Sequence, residues 1–166
     1  MIAIDEILAI IRPMPGLRIL ETGCGGGIVT ERLAEHVAAE EGQIDLYEYM
    51  PEEPTRQKLE TIPNVKFKGI DTLERTIRPA SREYETAVVT LLLSKIANPA
   101  KLLEACYHSL ENSGTFLALC KEGEDDMERI NSLLDEAHFV AMNRIDMQDG
   151  YFLATAKKMH HWGRGL

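Results

Sequence analysis

Cysteine is scarce here: Cys24, Cys106 and Cys120 are an odd number, and none forms a Cys-x-x-Cys pair. That speaks against a disulfide framework and a structural zinc site, and for reduced thiols in the cytoplasm. Positive charge is also short, with 18 Lys and Arg against 27 Asp and Glu and a net charge of −9. An acidic chain repels phosphate backbones, so nucleic-acid partners are disfavoured. Long apolar runs are missing as well. Ala87–Leu93, broken by Thr90, falls far short of the ~20 residues a membrane span needs. Asp5 and Glu6 interrupt the N-terminal apolar pattern, so a cleavable leader is not expected.

What is present fits one domain. The 166 residues are 45 % hydrophobic, ordinary for a packed core. Ile4, Ile7, Leu8 and Ile11 have the spacing of a short amphipathic helix, stopped by Pro13 and Pro15-Gly16. Strand-like runs follow at Leu17–Leu20, Ile44–Tyr47, Val65–Phe67, Ala87–Leu93 and Thr115–Cys120. Between them lie helical patterns: one through Val29, Leu33 and Val37 with Gly42 as its stop, Pro51–Ile62, a brief helix around Leu73–Ile77, and one from Asn98-Pro99 to Ser113-Gly114. A helix carrying Met127, Ile130, Leu134 and Ala137 precedes two strands that flank Asp149-Gly150, a hairpin signal. The acids at that helix's start suit the positive end of its dipole. Repeated strand–helix units predict an α/β, three-layer, doubly wound, mostly parallel seven-stranded sheet with an antiparallel last strand.

The first strand runs into Glu21-Thr22-Gly23-Cys24-Gly25-Gly26-Gly27, four glycines in five positions. Such a turn lets backbone approach a ligand at the carboxyl ends of the strands. A nucleoside triphosphate loop needs a Lys-Ser/Thr after the glycines, and none follows. A dinucleotide fingerprint needs glycine where Ile28 stands, so a nicotinamide-dependent oxidoreductase is disfavoured. The pattern is instead G-x-G-x-G, with an acid two residues ahead of it, suited to a cationic, amino-bearing ligand.

That arrangement resembles motif I of the class I S-adenosylmethionine-dependent methyltransferases, and the likeness covers nearly the whole chain. The resemblance implies that Gly23, Cys24, Gly25 and Gly27 lie against the methionine part of the cofactor, with Glu21 helping to hold its amino-acid end. It implies that Glu48, 21 residues after Gly27, takes both ribose hydroxyls, that Tyr49 packs on the adenine, and that Asp71 accepts the adenine amino group. Thr72, Thr90 and Leu91, at the neighbouring strand ends, complete the implied cofactor set. Tyr84–Val89, Leu110–Gly114, Ala137-His138-Phe139 and Tyr151–Lys158 are similar to later stretches of the family. After the fourth strand the chain departs from several branches. The Asn/Asp-Pro-Pro-aromatic motif is absent, no Asp stands as a magnesium ligand, and Ser94-Lys95 replaces a frequent Glu-His.

The expectation is methyl transfer from S-adenosylmethionine to a small-molecule acceptor, without a metal and with no catalytic base identified. The alternative is a catalytically silent S-adenosylmethionine-binding module that supports a partner protein. Little chain is left for a substrate lid, which leaves the first helix or a second subunit to close the pocket. Residues 1–158 read as the methyltransferase domain, with residues 1–16 as helix and loop. Residues 159–166 read as a basic His/Trp tail, a candidate docking segment for a protein partner or a homodimer. The terminal stretch 151–166 holds Lys157, Lys158 and Arg164 and no acid.

Overall fold

The computed structural model describes residues 4–23, 27–90 and 93–159. Seven strands form one sheet: β1 (Arg18–Gly23), β2 (Gln43–Tyr49), β3 (Val65–Ile70), β4 (Tyr84–Val89), β5 (Leu110–Lys121), β6 (Val140–Asp146) and β7 (Tyr151–Lys157). Their order is β3-β2-β1-β4-β5-β7-β6. All pairs are parallel except β5–β7 and β6–β7, so β7 alone runs against the sheet, as the hairpin signal predicts. Asp149 and Gly150 both take positive φ, 58° and 78°, the mirror-image turn that matches strand twist.

Helices α1 (Ile4–Ile10), α2 (Ile28–Ala38) and α3 (Glu53–Glu60) belong to one side of the sheet. Ile7, Leu33, Val37 and Leu59 pack there on Ile19, Ile44, Leu46 and Val88. Helices α4 (Pro99–Ser109) and α5 (Met127–Glu136) cover the other side. Leu102, Leu103, Cys106, Ile130 and Leu134 pack there on Leu20, Ala87, Val89 and Phe116. Alternate strand residues serve opposite faces, so the central strands are apolar on both. Among the described residues no helix is long and apolar enough to cross a membrane.

Several boundaries differ from expectation. No helix forms around Leu73–Ile77, and residues 71–83 carry neither helix nor strand. The Arg75 carbonyl accepts from the Tyr49 hydroxyl at 2.7 Å, while Ile77 is buried in the α4–α5 core. Strand β4 starts at Tyr84 and ends at Val89, and Leu93 belongs to a single 3-10 turn over Leu93–Lys95. Helix α4 stops at Ser109 rather than at Ser113-Gly114, because β5 begins at Leu110. Gly42 is not the left-handed stop of α2. Glu41 takes φ 58°, and Gly42 is needed because a Cβ there lies 2.6 Å from Val37 Cβ.

The terminal lysines are not all free tail charge. Lys158 is buried, donating to the carbonyls of Tyr107 (2.9 Å) and Leu110 (2.8 Å), and so caps the end of α4. Helix α1 runs beside α2 in the same direction. Asp5 pairs with Arg32 at 2.7 Å, and the Ile11 carbonyl lies 2.7 Å from His36 Nε2.

Candidate functional site

The carboxyl ends of β1, β2 and β4 meet where the glycine turn begins. Gly23 stands opposite Glu48 in the β1–β2 register, and Thr22 opposite Val89 in the β1–β4 register. Thr90 locks the β1–β4 join: its backbone N–H donates to the Thr22 carbonyl at 2.8 Å and its hydroxyl to the same oxygen at 3.1 Å. A Cβ on Gly23 falls 2.7 Å from Glu48 Oε2 and 2.9 Å from Thr90 Oγ1. Glycine is therefore what lets the backbone, a carboxylate and a hydroxyl share this corner. Gly27, with φ 81°, precedes α2, and a Cβ on it lies 2.6 Å from Leu59 Cδ2. Its carbonyl accepts the Glu31 N–H at 3.0 Å, the first helical bond.

Two carboxyl groups are buried at these tips, Glu21 at 0 % exposure and Glu48 at 2 %. The Thr30 hydroxyl donates to Glu21 Oε2, while Glu21 Oε1 has no hydrogen-bond partner among the described residues. Burial pushes the Glu21 carboxyl up to about 8, the Thr30 hydrogen bond opposes that rise, and the nearby Glu48 charge adds to it. The Thr22 hydroxyl is also buried without a partner among the described residues. A buried acceptor left unsatisfied is expensive and marks where a donor belongs.

Of the sequence-predicted residues, Glu21, Gly23, Glu48 and Thr90 are brought together, with Gly27 at the head of α2. Tyr49 is buried at 2 % exposure in the α4–α5 core, its hydroxyl engaged with the Arg75 carbonyl. Asp71 faces solvent, 3.9 Å from Arg75, and the Thr72 hydroxyl accepts the Glu74 N–H at 3.2 Å. Cys24, Gly25 and Leu91 lie outside the described residues, as do His160, His161 and Trp162. Sequence reasoning missed Thr30, although its position in the first turn of α2, three residues after Gly27, is a readable signal. It also missed Met50, whose φ of 50° turns its side chain outward at 53 % exposure beside the β2 tip.

These residues suit S-adenosylmethionine. Two buried carboxyl groups with acceptor oxygens match a ligand rich in hydroxyl and ammonium donors, and Gly23 leaves the space a Cβ would fill.

Comparison with known proteins gives a consistent picture. A family model described as "Methyltransferase domain" matches residues 3–162. A curated relative, the ubiquinone biosynthesis O-methyltransferase of Xylella fastidiosa, is 30 % identical over 105 residues, covering 61 % of this chain and 41 % of that protein. The chain thus spans about two fifths of the length of the curated relatives it matches. A crystal structure of a SAM-dependent methyltransferase from Aquifex aeolicus superposes with a TM-score of 0.75 at 14 % identity, covering 94 % of this chain and 89 % of that one. A Burkholderia thailandensis 1,6-didemethyltoxoflavin-N1-methyltransferase with bound 1,6-didemethyltoxoflavin and S-adenosylhomocysteine gives 0.71 at 19 % identity, covering 95 % and 79 %. At these identities the structural likeness establishes the fold.

Proposed function

This chain belongs to the methyltransferase-domain family, and on that premise we propose that it binds S-adenosylmethionine at the tips of β1, β2 and β4 and transfers its methyl group to a small-molecule acceptor. The observation that carries the reading is the pair of buried carboxyls around Gly23, one with an oxygen that no described residue satisfies. Glu48 holds the ribose hydroxyls, because a carboxylate can accept both protons at once. Glu21 faces the cationic amino end, held in orientation by the Thr30 hydroxyl. Thr90 fixes the β1–β4 gap through which the backbone meets the ligand. Asp71 receives the adenine amino group once its side chain turns from Arg75 toward the crevice, and Thr72 lies beside it.

When bound, the cofactor supplies a sulfonium-linked methyl group as the electrophile. The chain's own part is alignment and exclusion of water. A curated relative named for ubiquinone biosynthesis and a structural neighbour named for 1,6-didemethyltoxoflavin support a small-molecule acceptor.

The test uses methyl-labelled S-adenosylmethionine and the small-molecule fraction of a cell extract. Label moves into that fraction with the wild-type protein. It stops with Gly23→Ala, whose Cβ intrudes on Glu48 and Thr90. Transfer by Gly23→Ala at the wild-type rate removes this corner from the site.

A further inference from the structure

The stretch between β3 and β4 forms no helix, and this leaves the flank of the sheet beside α4 open. A cavity of about 600 Å³ occupies that flank. Its floor is the β2–β3 ladder, where Tyr47 and Lys68 are direct register partners with the Lys68 ammonium 5.7 Å from the Tyr47 ring centroid. One wall is α4, which presents Lys101, Glu104, Ala105 and His108, the spacing of a single helix face. The other wall is the irregular segment, with Arg75 and Arg78. Tyr47 and Glu48 are consecutive in β2 and so point to opposite faces, which separates this cavity from the carboxylate crevice.

The charge here runs against the rest of the molecule. In a chain of net charge −9, the cavity collects four cations, Lys68, Arg75, Arg78 and Lys101, against one acid, Glu104, with His108 beside them. Glu104 is 3.8 Å from His108, and Arg75 has Asp71 at 3.9 Å, both solvent-exposed pairs of little strength. Lys68, Arg78 and Lys101 have no carboxylate partner among the described residues. Like charges crowded without partners repel, and an anion relieves that repulsion. The half-buried Tyr47 ring adds a flat apolar surface beside the cations. The volume lies within the usual range for small-molecule sites.

We propose that this cavity is a second binding site, for a nucleoside monophosphate: the phosphate among Arg78, Lys101 and Lys68, and the base against Tyr47. The claim does not depend on the proposed methyl transfer. The test titrates the full chain with uridine 5′-monophosphate, uridine and inorganic phosphate, with S-adenosylhomocysteine in excess to fill the carboxylate crevice. Uridine monophosphate binds saturably at one site, tighter than either fragment. Arg78→Glu with Lys101→Glu weakens it about tenfold or more, as loss of charge-assisted contacts requires. Both side chains are exposed, so the variant keeps the wild-type melting temperature. No saturation by about 10 mM nucleotide, or charge reversal without effect, overturns the proposal. So does displacement of the nucleotide by S-adenosylhomocysteine, and inorganic phosphate binding as tightly as the nucleotide removes the ring contact and the nucleotide assignment with it.

Discussion

A carboxyl sealed from water, with one oxygen unsatisfied among the described residues, makes the ligand-free protein pH-sensitive. Glu21 titrates at about 8 in the folded chain against an ordinary 4.5, chiefly through burial. Between those values the folded state holds a proton that the unfolded state has released, so Glu21 favours folding less and less as pH climbs through that window. Glu21→Gln keeps the shape and removes the titration. Melting temperatures of wild type and variant, followed from about pH 5 to about pH 8, therefore diverge in favour of the variant as pH rises. Parallel curves contradict the buried, proton-holding state of Glu21. The same residue shows what was legible in the sequence. Glu21 and Glu48 are singled out because the resemblance to the methyltransferase family implies an acid ahead of the glycines and another at the next strand tip, and both prove buried. The burial of Tyr49 is not readable, because its partner is a backbone carbonyl, Arg75, on a segment whose helical spacing misleads.

Among the elements, local signals succeed where one short-range interaction decides. Asn98 caps α4 by accepting the Lys101 N–H at 3.2 Å, with Pro99 in the first turn. Asn98→Ala lowers unfolding free energy by about 1 kcal/mol, measurable by urea denaturation; an unchanged midpoint means the cap contributes nothing. Asp149-Gly150 sets the β6–β7 hairpin by the same local logic. Long-range competition explains the failures. Residues 110–114 carry helix-ending signals, yet Leu110 pairs with Tyr84 and joins β5. The apolar run Ala87–Leu93 suggests one strand, but pairing with β1 runs only to Thr22↔Val89. Leu73 and Ile77 have helical spacing, but the segment instead extends along the core while the Tyr49 hydroxyl takes its Arg75 carbonyl.

Across the whole molecule, the ion-paired cluster and the proposed cofactor site sit at different ends of the strands. At the amino ends, Arg18 gathers Asp45, Glu83 and Glu85, and its guanidinium lies 5.0 Å from the Tyr84 ring centroid. Inside, Phe116 is fully buried, with its ring 5.1 Å from that of Phe139. Phe116→Ala costs about 3–5 kcal/mol, a large part of the stability of a domain this size, and lowers the denaturation midpoint accordingly. A loss under about 1 kcal/mol contradicts the packing described. The carboxyl ends, by contrast, hold buried acids and, among the described residues, unsatisfied acceptors, a cost that a donor-rich ligand offsets. In the proposed function Glu48 and Glu21 form one cofactor site. Calorimetric titration with S-adenosylhomocysteine tests this most directly. Wild type binds one equivalent, and Glu48→Ala loses about 1–3 kcal/mol of affinity while remaining folded. Equal affinity in the two proteins, or no binding by either, contradicts it.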